Sequence, residues 1–280
     1  MKPHPERHWL PMETYLAAIE RETRRFREVL VDLPEGTPVP SCPGWDVDDL
    51  LWHLGGGDVQ HFWAWIVANR PEGPQDYLQP ERPADRHGIV VALDRAHEDL
   101  MLRLRNADPA DGCWSWASDT SLHTVAFTMR RQAHEALIHR VDAELAAGAR
   151  TPLDPQLATD GVVECLEVMY GGLPSWGRFA DDGTRVAVDI TDTGHRVVLA
   201  LGRFTGHDPA TQEDHDLDDV QVLGHDHTSA RDDSFDARVS GSAEELDLWL
   251  WHRNGRAEPE LDGSREVVQR LRTILAQPIS

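Results

Sequence analysis

The segment "RRQAHEALIHR", Arg130 to Arg140, sets two histidines and a glutamate in one stretch of helical pattern. A zinc-protease H-E-x-x-H motif needs its histidines four residues apart, with the glutamate between them as general base. Here His134 and His139 are five apart. At about 100° per residue they diverge by roughly 140° around a helix, too far to grip one ion. Ile138 stands where a protease would need its second histidine, so the protease reading is rejected. Glu135 and His139 are four apart and stack on adjacent turns, which leaves two ligands in search of a third.

His53, in "DDLLWHLGGG", is the candidate third ligand. Flanked by Leu50, Leu51 and Leu54, it is expected in largely apolar surroundings, and alone it reads equally as a core histidine. With Glu135 and His139 it completes a two-histidine, one-carboxylate set. Catalytic zinc uses three protein ligands and keeps a fourth position open. An ion so held lowers the pKa of bound water toward about 7 and deprotonates a bound thiol. Nickel, iron or manganese would also suit these donors. Asp142, three residues beyond His139, either supports a ligand imidazole or is an ordinary surface aspartate.

Cys42, Cys113 and Cys165 are far apart and form no C-x-x-C pair, so neither a disulfide framework nor a cysteine zinc site follows. Cys42 precedes a helix start, where a thiolate is favoured; the other reading is a small buried apolar residue. His225 and His227, two apart, would share a face of a strand, with His207 and His215 upstream. A second metal site is imaginable there, but the segment is acidic and rich in loop residues, and a solvated surface is the expectation.

Helices must position these groups. Apolar spacing predicts a helix from His8 to Leu33, ending before the proline-rich "PEGTPVPSCPGW". Asp46 is an N-cap for a second helix reaching about Asn69, in which Gly55, Gly56 and Gly57 mark close packing or a local distortion. A third spans about Ile89 to Arg105 and a fourth about Thr124 to Ala147. The expected fold class is an all-α four-helix bundle over residues 1–152, followed by a smaller α+β domain over 153–280. The second domain should hold a helix over 158–170 and a hairpin turning at "DTGH". Short strands near Val220 to Val222 and Phe235 to Val239 should follow among acidic loops. A helix capped by Ser242 and Glu245 comes next, and a last helix runs from Asp262 to about Ala276.

Composition narrows the partners. A formal charge of -22 argues against nucleic acid and anionic membrane. No apolar run approaches the about 18 residues of a membrane span. The N-terminus lacks a basic segment followed by an apolar core, so a cytoplasmic protein with a small-molecule or protein partner is expected.

The segments "SCPGWDVDDLLWHLGG", "RRQAHEALIHRVDAELAAG", "TPLDPQLATDGVVE" and "GSAEELDLWLWHRN" resemble the mycothiol-dependent maleylpyruvate isomerase family. That resemblance implies a DinB-like metal-binding bundle followed by a domain similar to sterol carrier proteins. Its metal ligands carry over onto His53, Glu135 and His139. It further implies mycothiol as the thiol, a divalent ion of the zinc type, and a small electrophilic substrate. Arg253 would correspond to an arginine that receives acidic substrates; its other reading is a cation at a helix C-terminus. The acidic stretch from His207 to Asp236 fits the pattern loosely. The expected activity is isomerisation or S-transfer through a metal-activated thiolate. The alternatives are a non-catalytic metal-binding or regulatory protein, and a thiol-independent metal hydrolase.

Overall fold

A computed structural model describes residues 9–227, 235–253 and 257–277. The chain divides into two compact units, Met1–Thr151 and Pro152–Ser280. Among the described residues no helix is long and apolar enough to cross a membrane.

The first unit is helical. Helix α1, Met12–Val31, buries Tyr15, Ile19, Phe26 and Leu30 on one stripe and stops before Pro34. Helix α2, Val47–Trp52, starts with a reciprocal cap: Asp46 accepts from the Asp48 and Asp49 amides, and Asp49 accepts from the Asp46 amide. The expected single helix to Asn69 is instead interrupted, because α2 opens into a π-helical turn, His53–Gly57, before α3 resumes over Gln60–Asn69. The glycines explain the interruption. A Cβ on Gly55 would stand 2.6 Å from the Leu93 backbone, and one on Gly56 would overlap the Trp52 ring. Helix α4, Arg86–Asn106, is capped by Asp85, and α5, Val125–Ala146, by Thr124. Gly148, in the left-handed region, ends α5.

Helix α5 is buried on nearly every side, although it carries Arg130, Arg131, His134, His139, Arg140, Asp142 and Glu144. A helix buried all round is normally apolar. Here its charges are met inside. Arg140 Nε donates to Glu22 of α1 (2.8 Å) and Nη1 to Glu144 (2.9 Å). Glu144 also accepts from Arg25 Nε (2.8 Å) and the Thr151 amide (2.7 Å). This network fastens α5 to α1.

The second unit is α+β. Helix α6, Pro155–Glu164, passes into another π-helical turn, Cys165–Tyr170. Five strands follow: β1 Gly177–Ile190, β2 His195–His207, β3 Asp214–His227, β4 Ala237–Gly241 and β5 Glu260–Gly263. They lie in the order β3-β2-β1-β4-β5, antiparallel except for the parallel β1–β4 pair. Helix α7, Ala243–Leu250, carries the expected Ser242–Glu245 capping box, and α8 is Arg265–Leu275. Tyr170 ties the unit together, its hydroxyl reaching the carbonyls of Leu250 (2.9 Å) and Leu275 (3.0 Å).

Two local expectations change. The acidic stretch expected to be mostly loop forms the long strand β3, since β2 supplies a complete antiparallel partner and Arg203 and Arg270 take up Asp216 and Asp218. Asp262, expected to begin the last helix, lies in β5; Ser264 is the N-cap. His8 and residues 228–234 of the acidic stretch fall outside the described residues.

Removing Arg140 would leave Glu22 and Glu144 buried without their shared cation. Arg140→Met is therefore expected to destabilise the chain by about 3 kcal/mol. Arg103→Ala breaks only an exposed i,i+4 pair with Asp99 and should cost less than about 0.5 kcal/mol. Urea unfolding of the whole chain, followed by tryptophan fluorescence, checks both; equal effects would contradict the buried network.

Candidate functional site

His53 is the first residue of the π-helical turn. Such a turn closes i→i+5 hydrogen bonds, and the Asp58 amide duly donates to the His53 carbonyl (3.2 Å). That geometry stacks Asp58 over His53, whose Nδ1 donates to the Asp58 carboxylate (3.0 Å). The Trp45 ring packs on the imidazole at 4.8 Å between centroids. His53 is thus half-buried among an indole, a carboxylate and a second imidazole, and not in the apolar pocket that its leucine neighbours suggested.

Helix α5 brings the other two groups. Glu135 and His139 stand one turn apart, Oε2 to Nε2 at 3.3 Å. On its other nitrogen, Nδ1, His139 donates to Asp142 (3.0 Å), whose side chain is fully buried. The His53 and His139 rings meet edge to face, with centroids 4.9 Å apart. The fold therefore gathers the three residues singled out from the sequence, although His53 and Glu135 are 82 positions apart. Asp142 supports a ligand candidate and is no surface aspartate.

Charge is distributed unevenly among them. Burial disfavours ionisation of Glu135, but Arg131, 3.3 Å away, and His139 outweigh it and hold its pKa well below the ordinary carboxylate range. Burial likewise opposes the His139 imidazolium, yet the Asp142 and Glu135 hydrogen bonds push its pKa up to about 9. Burial lowers the pKa of His53, helped by the nearby charge of His139. Without an ion, the site is a Glu135–His139 ion pair beside a neutral His53. Among the described residues no three His, Cys, Asp or Glu side chains stand in metal-ligating geometry. The donor chemistry nonetheless suits an ion: each imidazole has Nδ1 on a carboxylate, so that Nε2 is the nitrogen left to coordinate, on His139 once its proton is displaced.

The remaining candidates are placed elsewhere. His134 is buried against Tyr15, on a different side of α5, as its spacing required. Cys42 is half-buried, with its thiol 3.7 Å from Asp142. Arg253 donates to the Trp251 carbonyl (2.6 Å) just past the end of α7. His207 pairs with Asp214 in the open, and His215 stacks on Trp176. His225 meets His195 and Glu167, while the side chain of His227 lies outside the described residues. Sequence reasoning missed Asp58, Trp45 and Arg131. Asp58 is five residues from His53, a spacing that faces away on an α-helix and toward it on a π-turn. The glycine run was the available signal.

The model of the mycothiol maleylpyruvate isomerase N-terminal domain matches residues 16–144. The N-terminal unit belongs to that family. Its match contains His53, Glu135, His139, Asp58 and Asp142, all within 16–144. Crystal structures of a mycothiol-dependent maleylpyruvate isomerase and of a histidine-to-alanine mutant of it are similar to the chain, at 15% and 14% identity. Each covers 90% of this chain and 93% of the other, with TM-scores of 0.45 and 0.46. No curated protein matches the sequence.

The ion pair in this isomerase-family domain has a pH signature. The folded pKa of His139 lies above its unfolded value of 6.5. Its stabilisation is therefore complete below that value and disappears as pH rises through about 9. In metal-free protein the His139 ring should titrate near pH 9 by NMR, and Asp142→Asn should move the midpoint down. A wild-type midpoint at or below neutral pH would contradict the arrangement.

Proposed function

We propose that the chain is a cytoplasmic, metal-dependent and mycothiol-dependent enzyme. Its reaction is isomerisation of a small electrophile by reversible thiol addition, or S-transfer where the addition is not reversed. The observation that carries this reading is the meeting of two imidazoles, each held at Nδ1 by a carboxylate, with Glu135 against the second of them, His139. The N-terminal family points to the same thiol chemistry.

His53 Nε2, His139 Nε2 and the Glu135 carboxylate would hold a divalent ion of the zinc type. Such an ion supplies electrostatic activation of a thiol at neutral pH. The rest is done by this chain's own side chains. Asp58 and Asp142 fix the tautomer and direction of the two imidazoles, and Arg131 braces Glu135 at Oε1, the oxygen that does not face His139 Nε2. Trp45 covers one side of His53 and limits water there. We further infer that α1, the α2–α3 segment, α4 and α5 make a DinB-like four-helix bundle over residues 1–152. In this reading 153–280 is a separate α+β domain similar to sterol carrier proteins.

Purified protein should carry one equivalent of zinc or a similar ion, lost in His53→Ala and His139→Ala. Asp142→Ala should weaken metal affinity by about 10- to 100-fold while keeping the ligands. Wild type that binds no ion in excess zinc would sink the metal assignment. Electrophiles offered with and without mycothiol, followed by mass spectrometry, separate the reactions: unchanged product mass means isomerisation, and a mycothiol adduct means transfer. Equal turnover without any thiol would instead indicate hydrolysis or another thiol-independent reaction.

A further inference from the structure

A second meeting of imidazoles lies in the C-terminal unit, where the sequence made a metal site on His225 and His227 imaginable but a solvated surface the expectation. Strand β2 begins at His195, and its antiparallel neighbour β3 ends at His227. The register sets His225 opposite Val197, so His195 and His225 are diagonal neighbours on the face that buries Val197. His195 Nε2 and His225 Nδ1 are 3.2 Å apart, and the rings are 5.4 Å apart between centroids. The other nitrogen of His225, Nε2, lies 3.4 Å from Glu167 Oε1, in the π-helical turn Cys165–Tyr170.

This arrangement has the properties of a ligand pair. Two nitrogens bound to one tetrahedral ion at about 2.0–2.1 Å stand roughly 3.3 Å from each other, close to the separation found here. Glu167 can only accept when ionised, so it favours the proton on His225 Nε2 and leaves the Nδ1 lone pair facing His195. A carboxylate behind a ligand imidazole is the usual outer partner of a metal-bound histidine. His225 and Glu167 both keep some solvent exposure, so an ion has a route in. Imidazole nitrogens select zinc, copper or nickel and not the hard oxygen-seeking cations.

We propose that His195 Nε2 and His225 Nδ1 form a second binding site, for a divalent transition-metal ion, with Glu167 as the carboxylate behind His225. A bound ion would tie the start of β2 to the end of β3. The site does not depend on the activity assigned to the N-terminal unit.

Zinc titration of the full chain by calorimetry tests the site, using a His53→Ala/His139→Ala background to silence the other candidate ligands. One equivalent of micromolar zinc binding is expected, abolished by adding His195→Ala or His225→Ala and weakened about tenfold or more by Glu167→Gln. Copper(II) bound in that background should show two nitrogen ligands by electron paramagnetic resonance. Natively folded protein that binds no zinc at millimolar concentration, or whose binding survives both histidine substitutions, overturns the proposal. If the background variant does not fold, the zinc content of wild type and of His195→Ala/His225→Ala decides: one equivalent fewer supports the site, and an equal content overturns it.

Discussion

The need to satisfy charge on a helix that water hardly reaches governs the first unit. Helix α5 carries arginines, histidines and carboxylates through the interior, where an unpaired charge costs several kcal/mol. Each must find a partner at a fixed distance. Arg140 and Glu144 meet partners from α1 and from the residues after α5; His139 meets Asp142 and Glu135 on its own helix. The packing of α1 on α5 and the order of the candidate site are thus consequences of one constraint. Polar groups held this way have one arrangement, which a reactive site requires.

The π-helical turn at His53 adds a second constraint of a different kind. Three glycines permit a backbone path that Leu93 on one side and Trp52 on the other would deny to larger residues. The wider turn changes which residues stack, so Asp58 comes to hold His53. The cost of weaker helix propensity, about 1 kcal/mol per glycine, falls where geometry and not local stability matters. The same device recurs after α6, where the turn Cys165–Tyr170 carries Glu167 to His225 and Tyr170 to the ends of α7 and α8.

In the second unit the sheet converts acidic sequence into ordered structure. Outside Val220 to Val222, strand β3 reads as loop because aspartates have poor strand propensity, yet a complete antiparallel neighbour and arginines positioned across the register outweigh that preference. Asp189 shows the same logic inside the sheet, lying between Arg196 and Arg238, both of which also stack on Phe235.

Much of what depends on neighbours along one element was legible in the sequence, although Arg131 one turn from Glu135 was not singled out. The pairing of Glu135 with His139, the divergence of His134, the reciprocal cap at Ser242 and the helical ranges of α4 and α5 all follow from a 3.6-residue period and from cap chemistry. The glycine run at Gly55 to Gly57 was legible as close packing or a local distortion, but its π-helical form was not. Only the tertiary structure decided that His53 reaches His139, that Asp142 is buried, that the strand expected near Val220 extends over the whole of β3, and that His225 meets His195 and not a partner on its own strand. The physical reason is range. Backbone periodicity fixes which side chains share a face within a few residues, whereas contacts across 30 to 100 positions, as in His195–His225 and Cys42–Asp142, are set by how whole elements pack.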